Sequence, residues 1–493
     1  MEGTEAKVDP ASVLPRRLDL YYGGAWHVPV DGARFSTIDP ATGRKLAEVA
    51  SARADDVGRA VASARAALPG WRALPPLKRA ALVRGLADIL RRHKDELALL
   101  DAFDSGNPVR MMSFDVDLAC LFLEYFAGLA TEIKGETIPM GDGALNYTLR
   151  QPLGVVARII PYNHPILFLG MKIAAPLVAG NTVILKPAEQ TPLTALRFAE
   201  LLEDALPPGV LNILPGGAEA GAALTAHPDV RGIAVVGSVP TGRAVLKGAA
   251  DSIKRCILEL GGKNALIVYP DADVEKAIKG AVHGMNLTWC TGQSCGSTSR
   301  VFVHESQYDR VVDGIAAGFS ALSMGMPTDP ATEVGCLVSH AQYQKVLSYI
   351  DIGKREGARL VSGGGPPDDP ALANGFFVRP TVFADVVQDM RIASEEIFGP
   401  VISILKWSDD VKMLADVNRV EYGLTASIWT RDLVTAHRAA AEVEAGYVWI
   451  NSSSTHFPGA PFGGYKQSGL GREECLEELL SFTETKNINV ALS

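Results

Sequence analysis

Cysteine is scarce in this chain: six in 493 residues, at Cys120, Cys256, Cys290, Cys295, Cys336 and Cys475. So scattered a set excludes a disulfide framework and fits reduced thiols. Metal-ligand spacing is missing as well. Only Cys290 and Cys295 lie close together, and His283 and His304 fall in segments that read as helix and strand, so no metal is expected. No basic block interrupts the charge pattern. With 47 basic and 56 acidic residues the net charge is −9, which excludes the concentrated positive surface that a nucleic-acid partner needs. Nor is there an unbroken apolar span. The most apolar window, Ile166 to Leu185, is interrupted by Lys172, Pro176, Gly180 and Asn181, and reads as a buried helix followed by a strand, not as a membrane crossing. The first ten residues, M-E-G-T-E-A-K-V-D-P, offer acids and a proline where an export signal needs a basic start and an apolar stretch. A cytoplasmic location is therefore expected. Finally, no G-x-G-x-x-G fingerprint occurs anywhere.

What is present is a chain 47% hydrophobic and 21% charged, long enough for two or three domains with a large core. Strand-like runs (V-V-A-R-I-I, T-V-I-L, L-N-I-L, I-A-V-V, A-L-I-V, R-V-F-V, V-I-S-I) alternate with helical stretches at Asp55 to Leu68, Leu77 to Leu100, Leu193 to Leu206 and Ala272 to Met285. That alternation predicts an α/β fold of parallel sheets flanked by helices. G-G-P-P-D-D-P at 364–370 reads as a surface loop.

Four short phrases carry chemistry. Glu259 stands in E-L-G-G-K and Cys295 in G-Q-S-C-G. A glycine-flanked sulfur is uncrowded, and a nearby carboxylate can activate water against whatever that sulfur has bonded. In P-Y-N-H-P, two prolines fix the backbone around Asn163, so its amide can be held as a donor to a developing oxyanion. G-S-V-P-T-G at 237–242 sits between a strand-like and a helix-like run, where free backbone N–H groups can face a phosphate. Each phrase taken singly also suits an ordinary turn.

Together with I-L-K-P-A-E, G-V-L-N-I-L-P-G, E-E-I-F-G-P-V and P-F-G-G-Y-K-Q-S-G-L-G-R-E, they follow one another in an order that resembles the aldehyde dehydrogenase superfamily, from about Tyr22 to the C-terminal K-N-I-N-V. The resemblance implies a Rossmann-type cofactor domain (1–128 and 150–259), an α/β catalytic domain (260–473) and a small β oligomerisation arm (129–149 and 474–493), hence a homodimer or homotetramer. N-Y-T-L-R (146–150) and K-N-I-N-V (486–490) suit exposed edge strands that need a partner. It also implies roles. Cys295 would attack a small-molecule aldehyde, Asn163 would hold the oxyanion with the Cys295 backbone N–H, hydride would pass to a nicotinamide, and Glu259 would activate water to release a carboxylic acid. Branches that hand the acyl group to coenzyme A do without this glutamate, so the free acid is the expected product. Cofactor contacts would come from Ile160, Pro161, Tyr162, Lys186, Glu189, Gly237, Ser238, Leu260, Glu396 and Phe398. A carboxylate at Glu189 favours NAD, because it repels a ribose 2′-phosphate, although Lys186 would welcome one and leaves NADP open.

One departure stands out. Cys295 follows Glu259 by 36 positions, two more than the family pattern, so a small insertion precedes the nucleophile and brings Cys290 near it. Cys290, after bulky Trp289, reads as packing, or else as a resolving thiol that protects Cys295 from overoxidation. The aldehyde tunnel would be lined by Phe114, Asp117, Phe168, Met171, Trp289, Ser294, Gly296, His456, Phe457 and Phe462. Small Ser294 and Gly296 leave room for a bulky aldehyde, aromatic or branched. No Arg or Lys converges there, which disfavours semialdehydes with a distal carboxylate, and an aromatic box for a quaternary ammonium group stays open. The rival classes are a cysteine-dependent esterase or acyl hydrolase that needs no nicotinamide, and a coenzyme A-acylating dehydrogenase.

Overall fold

Two largely parallel sheets meet along the segment that follows Glu259. A computed structural model describes residues 9–202 and 204–492. The first sheet has eight strands in the order Ala25–His27, Leu20–Tyr22, Leu211–Ile213, Thr182–Lys186, Val155–Ile159, Val230–Val236, Arg255–Glu259 and Gly469–Leu470. The strands from Leu211–Ile213 to Arg255–Glu259 are mutually parallel. Val155–Ile159 and Thr182–Lys186 are buried at every residue, as strands covered by helices on both faces must be.

The chain winds outward from Val155–Ile159 to Leu211–Ile213 and then returns to the other side at Val230–Val236. Strand order therefore reverses between Val155–Ile159 and Val230–Val236. A crevice opens beyond their carboxyl ends, the place where open α/β sheets bind ligands.

Helix Pro165–Val178 runs back beneath this sheet with every residue buried except Phe168, so even Lys172 lies inside. The helix expected from Leu77 to Leu100 is two helices, Pro76–Arg92 and Lys94–Ser105. His93 leaves helical geometry (φ −112°, ψ 20°), and Asp95 and Glu96 occupy the first turn of the second helix, where its dipole favours acids. That helix ends on Gly106 at φ 81°, a left-handed cap for which glycine has no Cβ penalty.

The second sheet orders its seven strands as Arg359–Ser362, Thr381–Val386, Val401–Trp407, Arg300–His304, Ala265–Val268, Thr425–Trp429 and Tyr447–Ile450, all parallel except the first pair. A small third sheet pairs Ala144–Pro152 with Thr483–Ala491 through nine antiparallel residue pairs and adds Thr137–Ile138. Leu145, Leu149 and Val490 on this sheet face solvent.

Candidate active site

Glu259 is the last residue of its strand, and the chain then crosses to the second sheet through Gly261 and Gly262. Neither glycine tolerates a side chain. A Cβ on Gly261 would strike the Glu396 carboxylate, and one on Gly262 would strike the Cys295 carbonyl and Asn264. Asn264 then clamps the nucleophile loop, its Nδ2 donating to Cys295 O (2.7 Å) and Ser297 O (2.9 Å) while its Oδ1 accepts from Thr425 N (3.0 Å).

The loop itself begins with a single helical turn, Leu287–Cys290, set between the left-handed residues Asn286 (φ 53°) and Thr291 (φ 53°), and Gly292 (φ 74°) continues the reversal. Gln293 pins it to the body of the protein by accepting from Val338 N at 3.1 Å. Cys295 is left partly exposed, with its thiol within hydrogen-bonding reach of Glu259.

Asn163 is 4% exposed, and its backbone carbonyl accepts from Asn107 Nδ2 at 2.8 Å. Its own Nδ2 donates to Gln293 O at 2.8 Å, so the amide is not wholly free as the sequence suggests. One of its two N–H groups ties the side chain to the nucleophile loop, and the second remains for another acceptor.

Burial raises the Cys295 thiol well above its ordinary range, and the neighbouring Glu259 carboxylate adds to the rise. Glu259 itself is 4% exposed, and its Oε1 has no hydrogen-bond partner. Its carboxyl is pushed up to about 8 by burial and then by the charge of Glu473, against the opposing pull of Lys172. Behind it lies a buried ionic cluster: Lys172 Nζ to Glu473 at 2.8 Å, and Arg158 Nη2 to Glu473 (3.2 Å) and Glu478 (3.4 Å). Burial alone would raise Glu473, but Lys172 and Arg158 outweigh it and hold that carboxyl low. The ionised Glu473 in turn keeps Glu259 basic.

The residues expected to contact a cofactor stand mostly at or just after the carboxyl ends of the first sheet's strands. Ile160, Pro161 and Tyr162 follow strand Val155–Ile159. Lys186 ends its own strand, buried, with Nζ on Pro187 O (3.0 Å) and Gly216 O (2.6 Å), and burial lowers it to about 8. It forms no ion pair with Glu189, which is exposed and crowds Gly217. Gly237 N donates to Glu259 O (3.0 Å), and Ser238 caps helix Val239–Ala250 through Thr241 N. Leu260 packs against Gly242 so closely that a Cβ there would meet it at 2.5 Å. Glu396 accepts from Gly262 N at 2.9 Å, and Phe398, at φ 59°, meets Tyr162 edge-on at 5.8 Å.

Of the residues expected to line the aldehyde tunnel, Trp289 (5.0 Å) and Phe168 (5.9 Å) pack around the His164 ring, and Phe114 lies 5.8 Å from Trp289. Asp117 is not among them. It faces solvent and pairs with Lys94 at 2.6 Å, whereas Asp115, two residues earlier on the same helix, is fully buried. His456 sits between Tyr447 and Phe462 and bonds Glu474, while Phe457 is exposed.

The family model for the aldehyde dehydrogenase family matches residues 26–488. The chain belongs to that family. Its activity is the oxidation of an aldehyde with a nicotinamide dinucleotide as acceptor. The aldehyde dehydrogenase tropH of Talaromyces stipitatus is 48% identical over 489 residues, covering 97% of this chain and 94% of that protein. The hydroxyisobutyraldehyde dehydrogenase of Mycolicibacterium austroafricanum is 43% identical, over 96% and 94%. In structure, the NAD+ complex of an aldehyde dehydrogenase from Bacillus cereus superposes with a TM-score of 0.95 at 40% identity, covering 99% of each chain.

The crevice of this dehydrogenase fits such a cofactor. It offers a helix N-terminus entered through Gly237 and Ser238, an ammonium at Lys186 and a half-buried carboxylate at Glu396 held on a backbone N–H. Other members of the site escaped the sequence reading. Asn264, Asn107, Asp115 and Glu478 lie in none of the phrases singled out above, and Gln293 stands inside G-Q-S-C-G without having been given a role. The one signal was Lys172, a charge inside an otherwise apolar helix, and such a charge is normally paired.

Proposed function

We propose that the enzyme converts its aldehyde to the free carboxylic acid through a covalent bond to Cys295. One observation carries this reading: a partly exposed thiol beside a buried, basic carboxylate that ends the strand next to the strand-order reversal. Because the thiol is held protonated, Glu259 is the base at hand to accept its proton as sulfur bonds the carbonyl carbon. The resulting oxyanion is stabilised by the spare N–H of Asn163 and by the Cys295 N–H, which donates to no acceptor among the described residues. When bound, the nicotinamide supplies a hydride acceptor. Lys186, Glu189, Gly237, Ser238 and Glu396 hold the cofactor, with Ile160, Pro161, Tyr162, Leu260 and Phe398 as its walls. The remaining thioester is cleaved by water that Glu259 deprotonates.

Exposed Glu189 favours NAD over NADP by charge. The aldehyde is bulky, aromatic or branched. Small Ser294 and Gly296 beside the sulfur support this, as does the similarity to an enzyme named for hydroxyisobutyraldehyde. The three-part division at 128, 149, 259 and 473 is kept, and the apolar face of the third sheet supports a homodimer or homotetramer built across it. No helix among the described residues is long and apolar enough to cross a membrane, which is consistent with a cytoplasmic enzyme.

The test is a panel of aldehydes with NAD, without coenzyme A, scored by formation of reduced cofactor and of acid. A requirement for coenzyme A would overturn the hydrolytic reading. Replacing Asn163 with Ala is expected to lower kcat by roughly a hundred- to a thousandfold, the ~2.7–4 kcal/mol typical of one oxyanion donor. Unchanged turnover would remove Asn163 from the scheme.

A further inference from the structure

Asp115 is a carboxylate on a face where its helix buries apolar side chains. Helix Val109–Gly128 sends Met112, Val116, Ala119 and Leu123 inward, and Asp115 shares their stripe with 0% of its surface exposed. Its two oxygens serve different segments. Oδ2 accepts from Nδ1 of His164, the residue after Asn163, at 2.8 Å, and Oδ1 accepts at 2.7 Å from Nε1 of Trp289, in the helical turn Leu287–Cys290 that opens the nucleophile loop. The His164 and Trp289 rings also meet edge-on. Burial alone would discharge His164, but the Asp115 charge outweighs it and raises the ring to about 10, so the imidazolium persists at neutral pH. A buried pair of this kind adds little stability, because apolar side chains of similar volume fill the same space as well. What it adds is direction: a hydrogen bond fixes an angle as well as a distance, whereas apolar attraction has no preferred direction.

We propose that Asp115 is a positioning residue for the aldehyde oxidation: by holding His164 with one oxygen and Trp289 with the other, it sets the Asn163 amide and the Cys295 loop in register. The proposal rests on Cys295 as nucleophile and Asn163 as oxyanion donor. Attack on the carbonyl is sensitive to such register, since a displacement of about 1 Å can cost roughly a hundredfold in rate.

Both arms that run from Asp115 to the reacting groups are short and tied. On the His164 side, Asn163 O accepts from Asn107 Nδ2 at 2.8 Å and Ile166 N donates to Asp101 at 3.0 Å, so the chain is held before and after the ring. On the Trp289 side, Asn286 Nδ2 donates to Ser294 Oγ at 3.1 Å, and the same hydroxyl accepts from Gly296 N at 3.2 Å. The start of the turn is thereby fastened to both neighbours of Cys295. The anchor is firm as well: a Cβ on Gly170 would meet that of Ala119 at 2.8 Å, so helices Val109–Gly128 and Pro165–Val178 touch directly. The bond from Asn163 Nδ2 to Gln293 O spans the same two segments at a second point. Two points define a register, whereas one alone leaves the segments free to pivot.

The experiment compares three variants of the full-length enzyme by rate at saturating aldehyde, by NAD affinity from fluorescence titration and by thermal melting. Trp289→Phe removes the Nε1–H and keeps an aromatic ring. Asp115→Leu combined with His164→Phe replaces the ion pair by apolar volume, and the third variant carries all three changes. The first two are each expected to lower kcat by roughly ten- to a hundredfold, with Tm and the Kd for NAD as in wild type. The triple variant should be no slower than the double, because both changes cut the same tie, whereas independent losses of packing would multiply. Wild-type kcat in Trp289→Phe or in the double variant would overturn the proposal. So would a triple variant whose losses multiply, or a double variant that loses Tm along with kcat. Aldehyde oxidation that survives in Cys295→Ser would instead overturn the assignment of the nucleophile, an outcome visible with Asp115 intact.

Discussion

Cys295→Ser is expected to abolish aldehyde-dependent reduction of NAD. The loss in kcat/KM should be on the order of ten-thousandfold, about 5.5 kcal/mol at about 1.4 kcal/mol per decade. A hydroxyl in place of the thiol nearly keeps the volume but removes the one atom there that becomes a strong nucleophile by losing a single proton. Cofactor binding should survive, because the crevice at the strand-order reversal is built by other segments, chiefly those after Ile159, Lys186 and Val236. Fluorescence titration with NAD beside initial-rate kinetics separates the two. Cys290→Ser is the informative comparison. Its cysteine is fully buried with its thiol on Asn286 O at 3.8 Å, so it should retain most of the activity. If the two variants exchanged phenotypes, the nucleophile would be Cys290 and the loop would have to be reread.

The distinction between those two cysteines shows how far the sequence alone reaches. Glu259, Asn163 and Cys295 were legible because each sits in a phrase whose glycines and prolines serve local geometry: Gly262 admits the Cys295 carbonyl, and Gly242 admits Leu260. Strands buried on both faces were legible because Val, Ile and Leu run through them without a polar period. What was not legible depends on side chains meeting across the fold. Asp115 and Asp117 are indistinguishable as letters. Two helical positions differ by about 200° around the axis, and only packing decides which faces His164 and which faces Lys94. The break at His93 was hidden for a related reason: apolar spacing continues across it, and the new helix announces itself only by acids in its first turn. Asn264 donates to a backbone carbonyl and Gln293 accepts from a backbone N–H, groups that every residue carries and that leave no signature in the sequence.

Glu259→Gln should separate the two halves of the reaction. If Glu259 chiefly activates water, the variant forms about one equivalent of reduced cofactor per active site and then stalls, with steady-state turnover lowered by roughly 10²–10⁴, the range for loss of a general base. The stalled species is a thioester on Cys295, which a small nucleophile such as hydroxylamine should release as the hydroxamate, restoring turnover without the carboxylate. The pH dependence supplies a second test with a defined sign. Burial and Glu473 raise the Glu259 carboxyl to about 8, and only the ionised form can take a proton from water. Hydrolysis-limited turnover in wild type should therefore climb as pH rises through about 8, and the climb should vanish in Glu259→Gln. Replacing Glu473 with Gln moves the same limb. Removing the negative charge second in importance to burial lowers the Glu259 value, so the rise begins at lower pH, while Lys172 loses its 2.8 Å partner and the fold loses stability. Steady-state rates in Glu259→Gln that match wild type, with no burst and the same pH limb, would place the base elsewhere in the site.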